Sequence, residues 1–189
     1  MMDFSKDIEN SIKVLKQGGI ILYPTDTIWG IGCDATNDDA VEKVFVAKNR
    51  PSNKSLIILV ADEREVIQYV ASPDLRVFDY LQSLNKPTTV IYESAIGLAS
   101  NLVNEDGSIA IRIVKDEFCR HLIKRFRKPI VSTSANLSGE PSPKNFTDIP
   151  DQVKNSVDYI VQHRQQENQE SVSSTIIRWK DGQPIVLRT

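Results

Sequence analysis

Short apolar runs of strand length alternate with helical patterns of apolar residues along most of this 189-residue chain. Three of these runs, at residues 56–60, 88–92 and 109–113, are rich in β-branched or aliphatic side chains, which favours strands. Helical spacing separates the runs from one another. The sequence therefore predicts an α/β or α+β domain, with a mixed sheet flanked by helices and with functional groups on the loops at strand ends.

The remaining elements follow from periodicity, caps and turn residues. Further strands are predicted at 20–23, 129–131, 157–161, 173–179 and 184–187, the last two joined by a turn at 180–182. Helices are predicted at 4–15, 38–48, 62–70, 73–84 and 117–126. Residues 24–35 and 132–144 are predicted as loops because Pro, Thr, Ser, Asp and Gly dominate them. The polar stretch 163–170 is expected to be the most mobile segment.

The bulk composition limits the class of protein. With 40% hydrophobic residues, the chain can bury one substantial core, so residues 1–189 are expected to form a single domain. The net charge of −2 excludes the overall basic surplus of a stand-alone nucleic-acid binder, so any RNA contact would need a local patch. Two cysteines without Cys-x-x-Cys spacing and the absence of an apolar signal core or membrane-length run favour a soluble, cytoplasmic protein without membrane contact.

Three cations, Lys48, Arg50 and Lys54, lie within seven residues between a helical pattern and the run at 56–60. Pro51 disfavours helix at Arg50, so the helix is expected to end near Lys48 and to leave the cations on a loop that enters the strand. That placement suits the binding of an anion. A solvated cationic helix end, favourable to the helix dipole, explains the same residues, and at this point both interpretations stay open.

Familiar phosphate and metal motifs do not account for an anion site. The chain has no G-x-x-x-x-G-K-[ST] loop. Gly30 and Gly32 fit G-x-G-x-x-A, but the acidic residue expected about 20 positions later is missing. These glycines therefore indicate a tight turn or a close approach to a ligand. His121 and His163 show no ligand spacing, so no metal site is predicted.

Together, the stretches 23–35, 47–56 and 132–139 resemble one family. The chain is similar to the threonylcarbamoyl-AMP synthases, in the short, single-domain form of the YrdC-like fold, which implies a twisted mixed sheet with one ligand cleft. The family hallmark is a Lys-x-Arg plus Ser-x-Asn tetrad. In this chain the catalytic tetrad would be Lys48, Arg50, Ser134 and Asn136.

The resemblance implies an ATP-dependent reaction. The nitrogen of L-threonine captures bicarbonate to form a carbamate, whose oxygen attacks the α-phosphate of ATP and expels pyrophosphate. The product, L-threonylcarbamoyladenylate, serves the N6-threonylcarbamoyladenosine modification of tRNA. ATP would be a substrate and would enter with Mg²⁺. Downstream tRNA threonylcarbamoyl transferase proteins would be partners, and tRNA itself would bind weakly.

The resemblance also assigns binding residues. Those that would contact threonine are Thr27, Arg112 and Ser174, with Arg112 on the carboxylate. Those that would line ATP are Arg50, Lys54, Ser108, Ser132, Ser134, Ser142 and Arg188. One departure affects the threonine side, because Leu59 stands where many relatives carry a histidine.

Two alternatives share the same fold. One is a non-catalytic RNA-binding module, supported by the basic run at 124–128, although a cationic helix end explains that run as well. The other is a carbamoyl-AMP-forming enzyme that uses carbamoyl phosphate, but those relatives carry acylphosphatase and zinc-finger parts that this sequence does not show.

Overall fold

One mixed sheet organises the computed structural model, which describes residues 4–51, 55–167 and 173–189. Its strands are β1 (Ile21–Tyr23), β2 (Gly30–Gly32), β3 (Ile57–Val60), β4 (Thr88–Tyr92), β5 (Ile109–Ile113), β6 (Ile130–Ser134), β7 (Tyr159–Ile160), β8 (Thr175–Lys180) and β9 (Gln183–Arg188). Their spatial order is β7-β1-β2-β6-β3-β5-β4-β8-β9. The pairs β1–β7, β3–β5 and β4–β8 are parallel, and the other neighbouring pairs are antiparallel.

Helices pack against both faces of this sheet. They are α1 (Ser5–Lys16), α2 (Asp38–Ala47), α3 (Glu63–Tyr69), α4 (Arg76–Ser83), α5 (Glu117–Phe126) and α6 (Asp151–Lys154), with a 3₁₀ turn at Phe146–Asp148. Asn37 is the N-cap of α2, where its Oδ1 accepts a 3.0 Å hydrogen bond from the Ala40 amide. Asp116 caps α5 in the same way through the Cys119 amide at 2.8 Å. These caps satisfy amides that have no partner within the helix.

Alternate side chains of β1, β3 and β6 enter different cores, as the period of two requires. On β3, Ile58 and Val60 belong to a core that also holds Val44 and Phe45 of α2. Leu59, between them, belongs to a second core on the opposite face, built with α1 and α5. The sheet is therefore covered by α2, α3 and α4 on one face and by α1 and α5 on the other.

Each helix and strand predicted from the sequence has a counterpart in the structure, which confirms the mixed α/β fold. The turn between β8 and β9 is also confirmed, and it places Asp181 and Gly182 at positive φ. The 3₁₀ turn and α6 were not predicted, because both are too short to show a helical period.

The prediction of a continuous loop over residues 24–35 was wrong, since β2 lies inside it. A Cβ atom on Gly32 would stand 2.5 Å from the Val131 carbonyl oxygen and 2.6 Å from Cε1 of Tyr23. The glycine composition that suggested a turn instead allows β2 to fit closely between β1 and β6.

The prediction that the strand at 129–131 ends before Ser132 was also wrong. β6 runs on to Ser134, pairing Ser132 with Ile57 of β3 and Ser134 with Gly30 of β2. Hydroxyl side chains usually indicate a loop, but partners on both sides supply the backbone hydrogen bonds that keep this segment extended.

The first part of the polar segment 163–170 is held in place by acidic side chains. The His163 amide donates to Oδ2 of Asp7 at 2.9 Å, and Arg164 Nη1 lies 2.6 Å from Oδ2 of Asp116. Residues 168–170 lie outside the described residues. The predicted mobility of the whole segment therefore stays a prediction.

Candidate active site

Several of the predicted binding residues lie on one face of the sheet. Arg112 and Ile130 are both register partners of Leu59, so their side chains share the face that α1 and α5 partly cover. Ser132 and Ser134 follow Ile130 at intervals of two on β6 and therefore point to the same side. Strands β6 and β5 thus carry polar groups to the same face of the sheet, on either side of β3.

Lys48 is the buried anchor of this region. It is the C-cap of α2 and only 1% exposed. Its Nζ donates to the Ser134 carbonyl and, at 2.6 Å, to the Asn136 carbonyl, while its own carbonyl accepts from the Ser138 amide at 2.8 Å. Three members of the predicted tetrad therefore meet, and the interpretation of Lys48 as a solvated helix end was wrong.

The ammonium group of Lys48 has chemical capacity left. It carries three protons, and two of them go to carbonyl oxygens of the segment that follows β6. Burial, together with the nearby charge of Arg50, lowers its pKa from 10.5 to about 8. At neutral pH the group stays mainly protonated and has one proton to offer to an anion.

Asn136 shapes the backbone after β6. Its Nδ2 donates to the carbonyls of Leu137 at 2.9 Å and Glu140 at 2.8 Å. Its Oδ1 is buried without a hydrogen-bond partner among the described residues. Further along, Ser142 is exposed on the same segment. Within the described residues, no hydrogen bond joins it to the tetrad.

Arg50 is connected to Ser108 through two residues that the sequence analysis missed. Arg50 Nη2 donates to the Ser55 carbonyl at 2.8 Å, Ser55 Oγ donates to Oδ1 of Asn104 at 2.6 Å, and Asn104 Nδ2 donates to the buried Ser108 Oγ at 3.0 Å. Partial burial lowers the pKa of Arg50. The third predicted cation, Lys54, lies outside the described residues.

Arg112 faces an acidic side chain that was not predicted to matter. It is 2% exposed, and its Nη2 lies 3.1 Å from Oδ1 of Asp26 in the loop between β1 and β2. Thr27, the next residue, is buried and shares a 3.0 Å hydrogen bond with Thr25 through their hydroxyls. The signal in the sequence was the position of Asp26 between two threonines of the 23–35 motif.

Ser174 and Arg188 lie together at the start of β8. The buried Ser174 Oγ shares a 2.8 Å hydrogen bond with Thr89 Oγ1 of β4. Arg188 Nη2 donates to the Ser174 carbonyl at 3.1 Å, and Arg188 pairs in register with Ile176. The penultimate residue is thus fixed by a strand.

A cavity of about 420 Å³ opens beyond the C-terminal ends of β3 and β5. Its wall includes Asp26, Phe78, Thr88, Ile113 and Lys115. Through Asp26, the cavity borders the ion pair with Arg112. The sequence did not indicate this cavity, because its wall comes from six separate segments.

Two further properties concern only the described part of the chain. No helix there is long and apolar enough to cross a membrane. No group of three or more His, Cys, Asp or Glu side chains there is arranged to hold a metal ion.

Comparison with known proteins supports the geometric description. A family model named Sua5/YciO/YrdC and described as "Telomere recombination" matches residues 13–189. The "Threonylcarbamoyl-AMP synthase" of Idiomarina loihiensis is 34% identical over 76% of this chain and 78% of its own length. The protein of the same name from Vibrio vulnificus is 28% identical over 91% of this chain and 97% of its own length.

Solved structures of related proteins have the same fold as this chain. A variant of Sua5 from P. abyssi superposes with a TM-score of 0.87 and 25% identity over 99% of this chain. This chain spans 57% of that protein. The same protein "complexed with L-threonine" gives a TM-score of 0.86 at 23% identity, over 100% of this chain and 55% of its own length. The matched motifs, the fold and the family model together confirm the resemblance: the chain belongs to the Sua5/YciO/YrdC family.

Proposed function

We propose that this protein joins L-threonine, bicarbonate and ATP into L-threonylcarbamoyladenylate, with release of pyrophosphate. The observation that carries the proposal is the contact of the buried Lys48 ammonium with the carbonyls of Ser134 and Asn136. That contact joins the Lys-x-Arg and Ser-x-Asn motifs into one site. The names of the relatives in Idiomarina loihiensis and Vibrio vulnificus support the same reaction.

We assign the nucleotide to the end of the cleft where β6 ends and β3 and β5 begin. Arg50 and the buried Ser108 belong to one hydrogen-bonded chain there, and Arg50 can bridge two phosphate oxygens. Four other residues proposed to line ATP are Lys54, Ser132, Ser134 and Ser142. Arg188, also proposed to line ATP, contacts the Ser174 carbonyl and would reach the nucleotide from the threonine side.

We assign threonine to the neighbourhood of Arg112. Its buried guanidinium suits a carboxylate, and Thr27 and Ser174 would supply hydroxyl contacts. The threonine-bound structure of P. abyssi Sua5 supports a threonine site in this fold. Leu59 is fully buried in the core with α5, so it would shape the floor of the site and make no polar contact.

The chemistry requires control of negative charge. A carbamate oxygen approaches the α-phosphate, and both groups are anionic. Lys48 and Arg50 would offset this repulsion and stabilise the charge that develops on the bridging and leaving oxygens, a contribution of ~10²–10³ in rate per donor in other enzymes. Catalysis then depends mainly on placement and electrostatics.

ATP would enter with Mg²⁺ on its phosphates, because this ion is held mainly by phosphate oxygens and water. The product would pass to tRNA threonylcarbamoyl transferase proteins in the cytoplasm. Direct tRNA binding would be weak, through exposed cations of α5 such as Lys124 and Arg125.

The test is the dependence of pyrophosphate release on both co-substrates. Omitting either threonine or bicarbonate should stop the release, because the carbamate is the nucleophile. Equal release without threonine would contradict the proposal and indicate an ATPase. Release that instead requires carbamoyl phosphate would favour the carbamoyl-AMP alternative, and no release together with tight tRNA binding would favour an RNA-binding module.

A further inference from the structure

The ion pair between Arg112 and Asp26 has unused binding capacity. Arg112 Nη2 and Asp26 Oδ1 lie 3.1 Å apart, but they are not aligned as a hydrogen bond. Arg112 Nε also lacks a hydrogen-bond partner within residues 4–51, 55–167 and 173–189. Buried charged groups are normally fully hydrogen-bonded, so this pair has the character of a site that a polar ligand completes.

The loop that carries Asp26 is held in position. Thr25 Oγ1 donates to the Ile28 carbonyl at 2.7 Å, and Cys119 Sγ of α5 donates to the Pro24 carbonyl at 3.3 Å. Asp26 also lines the 420 Å³ cavity. Its carboxylate is therefore fixed beside Arg112 and within reach of a small molecule.

Two opposite charges side by side match a zwitterion. The arginine suits the α-carboxylate of an amino acid, and the aspartate suits its α-ammonium group. A ligand that carries only a carboxylate would gain the first contact but would be repelled by Asp26, and such a repulsive element is a common basis of specificity.

We infer that Asp26 determines amino-acid specificity by binding the α-ammonium group while Arg112 binds the α-carboxylate, an inference that rests on the proposed function. The two residues would admit a free amino acid and reject hydroxy acids. Asp26 would also position the nitrogen that later attacks bicarbonate.

The reaction reverses the charge that Asp26 meets. When the nitrogen captures bicarbonate, an N–C bond forms and a C–O bond of bicarbonate breaks. The ammonium group loses two protons, one leaving with the released hydroxide as water and the other passing to solvent. The nitrogen then bears a carbamate, which Asp26 repels and the cations Lys48 and Arg50 attract.

The test measures binding by calorimetry without ATP or bicarbonate. The ligands are L-threonine and 3-hydroxybutyrate, which keeps the carboxylate and hydroxyl but lacks the ammonium group. Asp26→Asn should bind L-threonine at least about tenfold more weakly than wild type, a loss of about 1.4 kcal/mol. The same variant should bind 3-hydroxybutyrate as well as wild type or better.

Glu63→Gln is the matched control. Glu63 lines the same cavity and accepts a hydrogen bond from Gln82 Nε2 at 3.1 Å. The Glu63→Gln variant should bind both ligands as wild type does. Asp26→Ser provides a second neutral variant if Asp26→Asn folds poorly. Equal weakening of both ligands by Asp26→Asn would overturn the inference and leave Asp26 as a support for Arg112. Tighter threonine binding by this variant would also overturn it, because Asp26 would then compete with the threonine carboxylate for Arg112.

A separate product assay distinguishes this inference from the proposed function. If wild type binds L-threonine much more tightly than 3-hydroxybutyrate, and this preference depends on Asp26, but no adenylate forms, only the proposed function is overturned. Wild type that forms the adenylate but binds both ligands equally would overturn only the role of Asp26. Failure of wild type to bind L-threonine would overturn the inference as well.

Discussion

At the scale of single residues, the two cations of the Lys-x-Arg motif have different physical roles. Lys48 is buried and satisfies two carbonyls, whereas Arg50 is half-buried and donates to the Ser55 carbonyl. Removal of an exposed charge costs little stability, whereas removal of a buried partner leaves other groups unsatisfied. The structure separates them.

Lys48→Ala should therefore lose activity and stability together. Two carbonyls lose their partner, so the free energy of unfolding should fall by about 1–3 kcal/mol, and pyrophosphate release should fall more than about tenfold. Arg50→Ala should lose a similar factor in rate with nearly unchanged denaturant unfolding. Unchanged stability of Lys48→Ala would show that its buried contacts contribute little.

The pH dependence should report the same lysine. Burial lowers the pKa of Lys48 to about 8, so above that pH the site loses a positive charge and kcat/KM for ATP should fall. In Lys48→Arg the charge persists, because arginine stays protonated, and the decline should move to higher pH. A decline at the same pH in both proteins would assign it to another group.

The stability of the fold should change with pH in the opposite direction to the activity. Between about pH 8 and 10.5 the unfolded chain holds the Lys48 proton and the folded protein does not. The contribution of this residue to the free energy of unfolding should therefore rise with pH in that window.

At the scale of elements, the sequence predicted what local periodicity determines and missed what remote partners determine. The helix ending at Lys48 and the strand Ile109–Ile113 were predicted correctly because their patterns are local. Strand β2 and the extension of β6 were missed, since Gly30 and Ser134 become strand residues only by pairing across about 100 positions of sequence.

Gly32 gives a test of that pairing. Gly32→Ala would place Cβ 2.5 Å from the Val131 carbonyl and should lower the free energy of unfolding by about 1–3 kcal/mol. Gly30→Ala is the control, since its nearest contact is 3.1 Å to the Ser132 hydroxyl, and it should cost less. Chemical denaturation measures both variants, and equal costs would contradict the close packing at Gly32.

At the scale of the whole molecule, the tetrad could be named from the sequence because its members form two short motifs. The contact between Asp26 and Arg112 could not be predicted, because it depends on how the loop after β1 folds over the sheet toward β5. The same limit applies to Ser55 and Asn104, which join Arg50 to Ser108 only in three dimensions.

The overall charge predicts weak contact with RNA. With a net charge of −2, only local patches can bind phosphate, and Lys128 of the basic run already pairs with Asp34 at 2.6 Å. Binding of tRNA should be weak in filter or fluorescence assays and should disappear as salt is raised. Submicromolar binding at physiological salt would contradict this expectation.

The measurement that most directly tests the central claim is the mass of the nucleotide product formed from ATP, L-threonine and ¹³C-bicarbonate. The account predicts an adenylate that contains both threonine and the labelled carbon, formed together with pyrophosphate. Lys48→Ala and Arg50→Ala should form much less of it. A product that lacks either threonine or the label, or nucleotide turnover that ignores both co-substrates, would contradict the account.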